Sequence, residues 1–387
     1  MIVFTSVCAN YIPKAKVLAN SLKRHNPDTM FVLGLVEREV SDIAKNESKF
    51  DLVITSSELG IENFESFMFK HSIVEAATAV KGHMFLELMR RFPEETKFVY
   101  LDPDIQVFGE LLELNQLLDA EDIVLTPHLC EPEDEMHAIM DNEICALKHG
   151  VFNLGFLAVR RTEQSHKFIK WWADRLLEFC YADIPGGLFT DQRWMDLAPC
   201  FFDMHAFKHV GYNIAPWNLS KRKISKDTEG NLFVNGHPLR FFHFSGFDSG
   251  ANEQMVSRYC PDPKDPVYQL RNDYISLQEE AGQSELGNTT WSYNSYSNGI
   301  KIKNKDREYY RFTTEMQYRY PNPFDASATD SFYAHVNTLP EESFQPAQQA
   351  HNTMRQLWRY TKEDYKSGGL GLVTNKVIKK LLRQFGK

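Results

Sequence analysis

The sequence predicts an α/β fold built on a mostly parallel sheet, followed by a partly helical extension. Three observations point there. Short apolar runs rich in β-branched residues alternate with longer segments of helical periodicity. Their order is strand, helix, strand, strand, helix, strand, the pattern of an α/β unit. Two aspartates then close an apolar run, and ligands bind beyond the carboxyl ends of strands in such sheets.

In chain order, "MIVFTSV" reads as a buried strand, and "PKAKVLANSLKRHNPD" as a helix with Val17, Leu18 and Leu22 at helical spacing. "FVLGLVE" and "DLVITSSE" are further strands, a helix is expected over roughly Ile73 to Arg91, and "KFVYLD" is the next strand. "DIVLTPHL" reads as a strand, and the acidic stretch "CEPEDEMHAIMDNE" as a solvated loop or helix face. "VFNLGFLAVRR" is a buried strand interrupted by Gly155, where a close backbone approach is expected. "HKFIKWWADRLLEFC" is an amphipathic helix, and "RFFHFSGF" the last clear strand, with His243 near its end.

Composition changes near residue 261, where "CPDPKDPVYQL" opens a Pro/Asp-rich connection. The expected organisation is therefore a main domain over 1–260, an irregular or helical extension over 261–369, and a basic amphipathic helix over 370–387. In that last segment Val373, Val377, Ile378, Leu381, Leu382 and Phe385 share one helical face, while Lys376, Lys379, Lys380, Arg383 and Lys387 supply positive charge. Such a helix suits an anionic membrane surface, or else docks on its own domain or a partner.

The bulk numbers exclude several classes. A chain of 387 residues, 43% hydrophobic and 25% charged, has the composition of a soluble globular protein. A net charge of −9 argues against broad nucleic-acid binding, which needs a positive surface. The six cysteines form no CxxC pair or Cys/His cluster, against a zinc ribbon or redox motif. With no signal-peptide pattern at its start and no membrane-spanning run, the chain is expected to be cytoplasmic with reduced thiols.

Chemistry concentrates at "FVYLDPDIQVFGEL", where Asp102 and Asp104 flank one proline after Phe98-Val99-Tyr100-Leu101. Asp and Pro make turns, so a turn is one reading. The other is a hard divalent cation held by oxygen ligands, with phosphates completing its shell.

Five stretches in order carry a resemblance that favours the cation. "IVFTSVCANYIPKAKVLANSLKRHNPD", "VYLDPDIQV", "VFNLGFLAV", "TDQRWMD" and "FFHFSG" span about residues 2 to 247. Together they resemble the GT-A type glycosyltransferases, closest in pattern to glycosyltransferase family 8 and its bacterial lipopolysaccharide members. The resemblance implies a Rossmann-like nucleotide-diphospho-sugar transferase fold, and an enzyme moving a sugar from a nucleotide-sugar, UDP-sugar first, to a glycan or glycolipid acceptor with retention of anomeric configuration. It implies a role in lipopolysaccharide or polysaccharide biosynthesis, and the basic tail over 370–387 would hold such a cytoplasmic enzyme peripherally on the inner face of the membrane.

The same resemblance assigns residues. Asp102, Asp104 and His243 would hold Mn²⁺ or Mg²⁺, with Asp102 also touching the donor ribose. Lys81 would face the diphosphate and sugar, Asn10 and Tyr11 the nucleotide, and Asn153 the donor sugar or acceptor. Gly155 would allow close approach, and Thr5 and Gly246 complete the donor site. Asp191 and Gln192 would lie beside the anomeric carbon, Asp191 on sugar hydroxyls and Gln192 supporting developing oxocarbenium charge. The plainer readings are a core histidine for His243, a solvated lysine for Lys81, a core tyrosine for Tyr11 and a helix cap for Asp191.

Two departures stand out. The acidic residue that many members carry before Asn-Tyr is replaced within Val7-Cys8-Ala9. The lysine that commonly follows the terminal His-x-x-Gly is absent from Phe247-Asp248-Ser249, so Lys81 or a basic residue in 220–226 is expected to take its place. The rival readings are a catalytically silent glycan-binding protein on the same fold and a sugar-phosphate nucleotidylyltransferase. The second is disfavoured by "FTSVCANYIPK", which lacks the glycines of its nucleotide loop.

Overall fold

A computed structural model describes residues 1–344. Its strands, among the described residues, are β1 (Ile2–Val7), β2 (Met30–Leu35), β3 (Leu52–Thr55), β4 (Lys97–Leu101), β5 (Ile105–Val107), β6 (Ile123–Pro127), β7 (Phe152–Arg160), β8 (His205–Ala206), β9 (Ile224–Lys226), β10 (Leu232–Val234), β11 (His237–Pro238) and β12 (Phe241–His243). The main sheet runs β3-β2-β1-β4-β7-β6-β8, and β7 alone runs against its neighbours. β9 to β11 form a small antiparallel sheet, and β12 pairs with β5.

Every residue of β1 is buried, as expected for a central strand covered on both faces. Helix α1 (Ile12–His25) lies on one face through Ala15, Leu18, Ala19 and Leu22, all fully buried. Each leucine buried this way contributes roughly 1.5–3 kcal/mol. Lys14 lies on that same buried face, four residues before Leu18.

The helix expected over 73–91 runs as two pieces, Ile73–Ala79 and α2 (Lys81–Arg91). Ser72 and Glu75 cap the first reciprocally, and the break falls at Val80. α2 packs on α3 (Glu163–Phe179), where a Cβ on Gly82 would come within 2.7 Å of the Ala173 Cα. That contact needs glycine, and it brings Lys81 into the interior at the start of α2.

After β4 the chain turns within Asp102-Pro103-Asp104-Ile105, closed by the Ile105 N–H donating to the Asp102 carbonyl at 3.1 Å. β5 then pairs antiparallel with β12, which sets His243 opposite Ile105. The turn reading of the two aspartates is thus correct for the backbone. It is also what presents both carboxylates at a strand end.

The composition change near 261 does not end the first compact unit, which runs Met1–Ser295. α4 (Ala251–Tyr259) and α5 (Pro266–Glu280) belong to it. Tyr274 of α5 stacks on Phe244, with ring centroids 3.9 Å apart and an interplanar angle of 2°. The Trp291 indole N–H donates to the Val36 carbonyl at 2.8 Å, and Ser292 N–H to Glu37 at 2.8 Å. Pro and Asp at 261–266 mark a helix start rather than a domain boundary, since Asp265 caps α5 and Pro266 opens it.

The second unit begins at Tyr296. Its described part carries helices Asn304–Phe312, Thr314–Arg319 and Phe332–Thr338, with the Tyr310 hydroxyl donating to the Tyr320 carbonyl at 2.8 Å. The expected basic helix over 370–387 lies outside the described residues. No helix among the described residues is long and apolar enough to cross a membrane.

Candidate functional site

Asp102, Asp104 and His243 each offer one ligand atom, and these atoms lie within 4.8 Å of one another. The His243 Nε2 stands 3.1 Å from Asp104 Oδ1 and 3.7 Å from Asp102 Oδ2. The two carboxylates are 27% and 18% exposed, while the imidazole is 3% exposed. The group therefore opens to solvent on its acidic side only. Burial pushes the Asp104 carboxyl up, but His243 and Lys14 outweigh it and hold it below the usual range. Burial disfavours the His243 cation, and Asp104 overcomes that and raises it.

A chain of amides orients the histidine. His243 Nδ1 meets Asn213 Oδ1 at 3.2 Å, and the Asn213 amide N–H donates to Asn153 Oδ1 at 3.1 Å. The Asn153 amide N–H in turn reaches His128 Nε2 at 3.2 Å. Burial lowers His128 to about 4, so its Nε2 is free to accept. With the Asn213 amide oxygen as acceptor, Nδ1 carries a proton, and Nε2 is the ring nitrogen that faces the aspartates. Asn213 adopts a left-handed conformation at φ 53°, which aims its side chain inward. Trp217 packs edge-on against both His128 and His243 and donates its indole N–H to the His128 carbonyl at 3.1 Å.

Gly155 has the close approach the sequence suggested. A Cβ there would lie 2.4 Å from His243 Cε1, and its carbonyl accepts from Asp102 N–H at 2.8 Å. Gly246 follows β12 at φ 75°, a conformation that favours glycine.

Lys81 is buried rather than solvated. Its Nζ lies 2.9 Å from Asp191 Oδ2, 3.3 Å from Asp102 Oδ1 and 3.1 Å from the Leu154 carbonyl, above the Tyr100 ring. Burial works against its charge, but Asp102 and Asp191 together hold it protonated well above the ordinary lysine range. Burial pushes Asp191 up, with Lys81 drawing it back and Asp102 adding like-charge repulsion. The lysine shares two carboxylates while Asp191 has one cation, so the ammonium is the firmer charge of the pair. Asp191 Oδ2 is close to Lys81 yet outside hydrogen-bond alignment, and it has no other partner among the described residues.

Asp191 caps no helix. Its Oδ1 accepts from the Thr190 hydroxyl at 3.0 Å, and Gln192 is the residue that precedes the short 3₁₀ turn Arg193–Asp196. Thr190 holds φ 45°, uncommon and costly for a β-branched residue, at the position that points Asp191 inward. The Gln192 amide is anchored by Leu154 N–H at 3.0 Å on its oxygen and the His149 carbonyl at 3.1 Å on its nitrogen.

On the other side of the aspartates, Tyr11 donates its hydroxyl to Asp248, and Lys14 Nζ sits 3.9 Å over the Tyr11 ring. Thr5 Oγ1 and Asn10 Oδ1 are buried without a hydrogen-bond partner among the described residues. Glu37, from the end of β2, accepts from Ala9 N–H at 2.8 Å, just where the sequence carries no acid before Asn10. Lys14, His128, Asn213, Trp217, Asp248 and Tyr274 were not legible as site residues. Lys14 alone left a signal, a cation in the buried stripe of α1.

Residues 2–192 match the model of "Glycosyl transferase family 8". Two Bacillus subtilis (strain 168) proteins are similar: uncharacterized protein YfnD, 26% identical over 176 residues, 45% of this chain and 54% of that protein, and uncharacterized protein YfnF, 29% identical over 152 residues, 39% and 46%. The matched part of this chain spans about half the length of each. Among solved structures, the galactosyltransferase LgtC with donor and acceptor sugar analogs is 16% identical at a TM-score of 0.42, over 72% of this chain and 96% of that one. Mouse xyloside xylosyltransferase 1 is 13% identical at a TM-score of 0.37, over 64% and 97%. The family match begins at β1 and ends at Gln192, enclosing Asp102, Asp104 and Asp191, so residues 2–192 are a glycosyl transferase family 8 region, built on a mixed α/β fold with a mostly parallel sheet.

Proposed function

We propose that this chain is a metal-dependent glycosyltransferase that moves a sugar from a nucleotide-diphosphate sugar, a UDP-sugar first, to a glycan or lipid-linked acceptor. The observation that carries this reading is the Asp102, Asp104 and His243 group at the strand ends, inside or beside the family 8 region. Two carboxylates and an imidazole presenting Nε2 suit Mn²⁺ or Mg²⁺, with positions left for phosphate oxygens and water. Such an ion, when bound, supplies Lewis-acid neutralisation of the leaving diphosphate.

The chain's own residues do the rest. Tyr100 and Lys81 hold Asp102 in place through Oδ1, at 2.6 and 3.3 Å, leaving Oδ2 toward His243. Lys81 keeps Asp191 beside a fixed positive charge, which makes that carboxylate a poor covalent nucleophile and a good acceptor for sugar hydroxyls. This favours retention by a front-face route, in which the groups around Asp191 and Gln192 support positive charge at the anomeric carbon. The anchored Gln192 amide oxygen accepts from the Asn153 side-chain amide and the Leu154 backbone N–H and so orients both. Residues 370–387 are the proposed membrane-surface contact; if so, deleting them releases the protein from anionic vesicles in co-sedimentation, and unchanged pelleting rejects the role.

The test of the activity is to incubate the protein with Mn²⁺ and a panel of nucleotide-sugars and follow donor hydrolysis. Metal-dependent hydrolysis of at least one donor is expected, lost in Asp104→Asn. Hydrolysis of none, or a rate indifferent to Asp104→Asn, overturns the reading.

A further inference from the structure

A nucleotide diphosphate held at the aspartates needs a cation beside it, and the basic residues singled out by the sequence are already engaged, apart from Lys226, which is exposed at the end of β9. The Lys81 ammonium donates to Asp102 and the Leu154 carbonyl and is ion-paired with Asp191 at 2.9 Å. In the 220–226 stretch, Lys221 pairs with Asp134, Arg222 donates to the Tyr212 carbonyl and to Cys130, and Lys223 donates to the Leu219 and Tyr259 carbonyls.

Lys14 is different. It is 2% exposed on the inner face of α1, and its Nζ lies 2.6 Å from Asp248 Oδ2. Asp248 is 54% exposed. It stands on a turn bracketed by Gly246 at φ 75° and Gly250 at φ 76°. The Phe244 N–H donates to the Asp104 carbonyl at 2.8 Å and the Phe244 ring stacks on Tyr274, so the turn carrying Asp248 starts beside the aspartates. Close by, Tyr274 is fully buried, and its hydroxyl has no partner among the described residues. Asp104, Asp248 and Tyr11 all act on that hydroxyl.

We propose that Lys14, with the hydroxyls of Tyr11 and Tyr274, is the cradle for the donor's diphosphate, and that Asp248 fills it until the donor binds. This rests on the glycosyltransferase reading above. A buried ammonium requires an anion, and here that anion is the solvent-exposed member of the pair. Asp248 is already more than half in water, so its carboxylate leaves at little desolvation cost, and the flanking glycines permit the backbone to turn. A diphosphate offers the same oxygen acceptors with more charge, and it meets two phenolic donors that a single carboxylate does not satisfy together. Asp248 thus competes with the donor, whereas Lys14 receives it.

The two halves of the proposal predict opposite signs. Calorimetric titration of the full chain with Mn²⁺ and each of UDP, GDP, ADP and TDP is the test. For whichever nucleotide binds the unaltered protein, Lys14→Met is expected to weaken affinity by roughly tenfold to a hundredfold, the worth of a charged hydrogen bond. Asp248→Asn is expected to tighten it by about threefold or more, because the internal competitor is weakened. A purely structural ion pair moves both variants the same way or neither, and that result overturns the proposal while leaving the enzyme reading intact. If Lys14→Met does not fold, Asp248→Asn decides: unchanged or weaker binding overturns it. An unaltered protein that binds none of the four overturns both readings together.

Discussion

The two buried lysines near Asp102 and Asp104 have nearly the same exposure and opposite circumstances. Lys81 and Lys14 are each 2% exposed. Lys81 faces Asp191, itself 4% exposed, whereas Lys14 faces an Asp248 that is 54% exposed. Burying both members of an ion pair locks it, because neither charge can return to water without carrying its neighbours along. Burying only one leaves the other free to exchange. Lys81 therefore holds the site together, and Lys14 is placed to hold what enters it.

The largest expected effect separates the two on stability. Lys81→Met strands the Asp191 carboxylate in the interior and should cost roughly 3–5 kcal/mol, the usual penalty for breaking a buried pair. Lys14→Met releases Asp248 into solvent and should cost within about 1 kcal/mol. Urea unfolding of both variants measures this, and adding Asp191→Asn to Lys81→Met should restore much of the loss. Equal destabilisation by the two single variants would erase the distinction drawn here.

A smaller effect concerns the group proposed to hold the metal. Gly155→Ala drives a methyl into His243, since the added Cβ would lie 2.4 Å from the imidazole Cε1. The ring must tilt away from the aspartates, and Mn²⁺ affinity should fall about tenfold to a hundredfold, as for the loss of an orienting contact. Mn²⁺ titration followed by electron paramagnetic resonance reads this directly. An unchanged affinity would mean that His243 is not a ligand.

The smallest effect comes from the outer end of α2, far along the same helix that begins with Lys81. Hydrogen bonds from Arg90, followed by those of Arg91, hold Glu87 down to about 2. Its carboxylate is depressed below the unfolded range, so its stabilising contribution is complete above about pH 4.5 and is lost as pH falls toward 2. Arg90 is 70% exposed, and solvent screening keeps the contribution small. Glu87→Gln should lower stability slightly at neutral pH and leave it unchanged near pH 2, so that the acid limb between those values flattens, as thermal melts across pH would show.

Much of the fold was legible because its signals are local. The apolar runs of β1, β2, β4 and β7 and the helical spacing of Leu18 and Leu22 are short-range patterns. The same holds for Asp102-Pro103-Asp104, where a turn and a pair of carboxylates are encoded within four residues. Some errors have local causes too. The single helix expected over 73–91 is interrupted at Val80, just ahead of Gly82, which packs closely on α3, a partner that a periodic pattern does not reveal. The boundary near 260 misread helix-starting Asp265 and Pro266 as a linker.

The site divides along the same line. The sequence by itself determined a family 8 region, the carboxylate pair at a strand end, and the identities of Lys81, Asn153, Asp191, Gln192 and His243 as residues to watch. Only the tertiary structure decided what each one touches. It buried Lys81 between two acids, turned Gln192 onto the backbone, and linked His243 through Asn213 and Asn153 to His128. It also brought Asp248 to Lys14 across 234 positions. The reason is physical. Secondary structure follows from spacing along the chain, whereas the environment of a charge depends on which side chains the packing of distant elements delivers around it and how much water it leaves there.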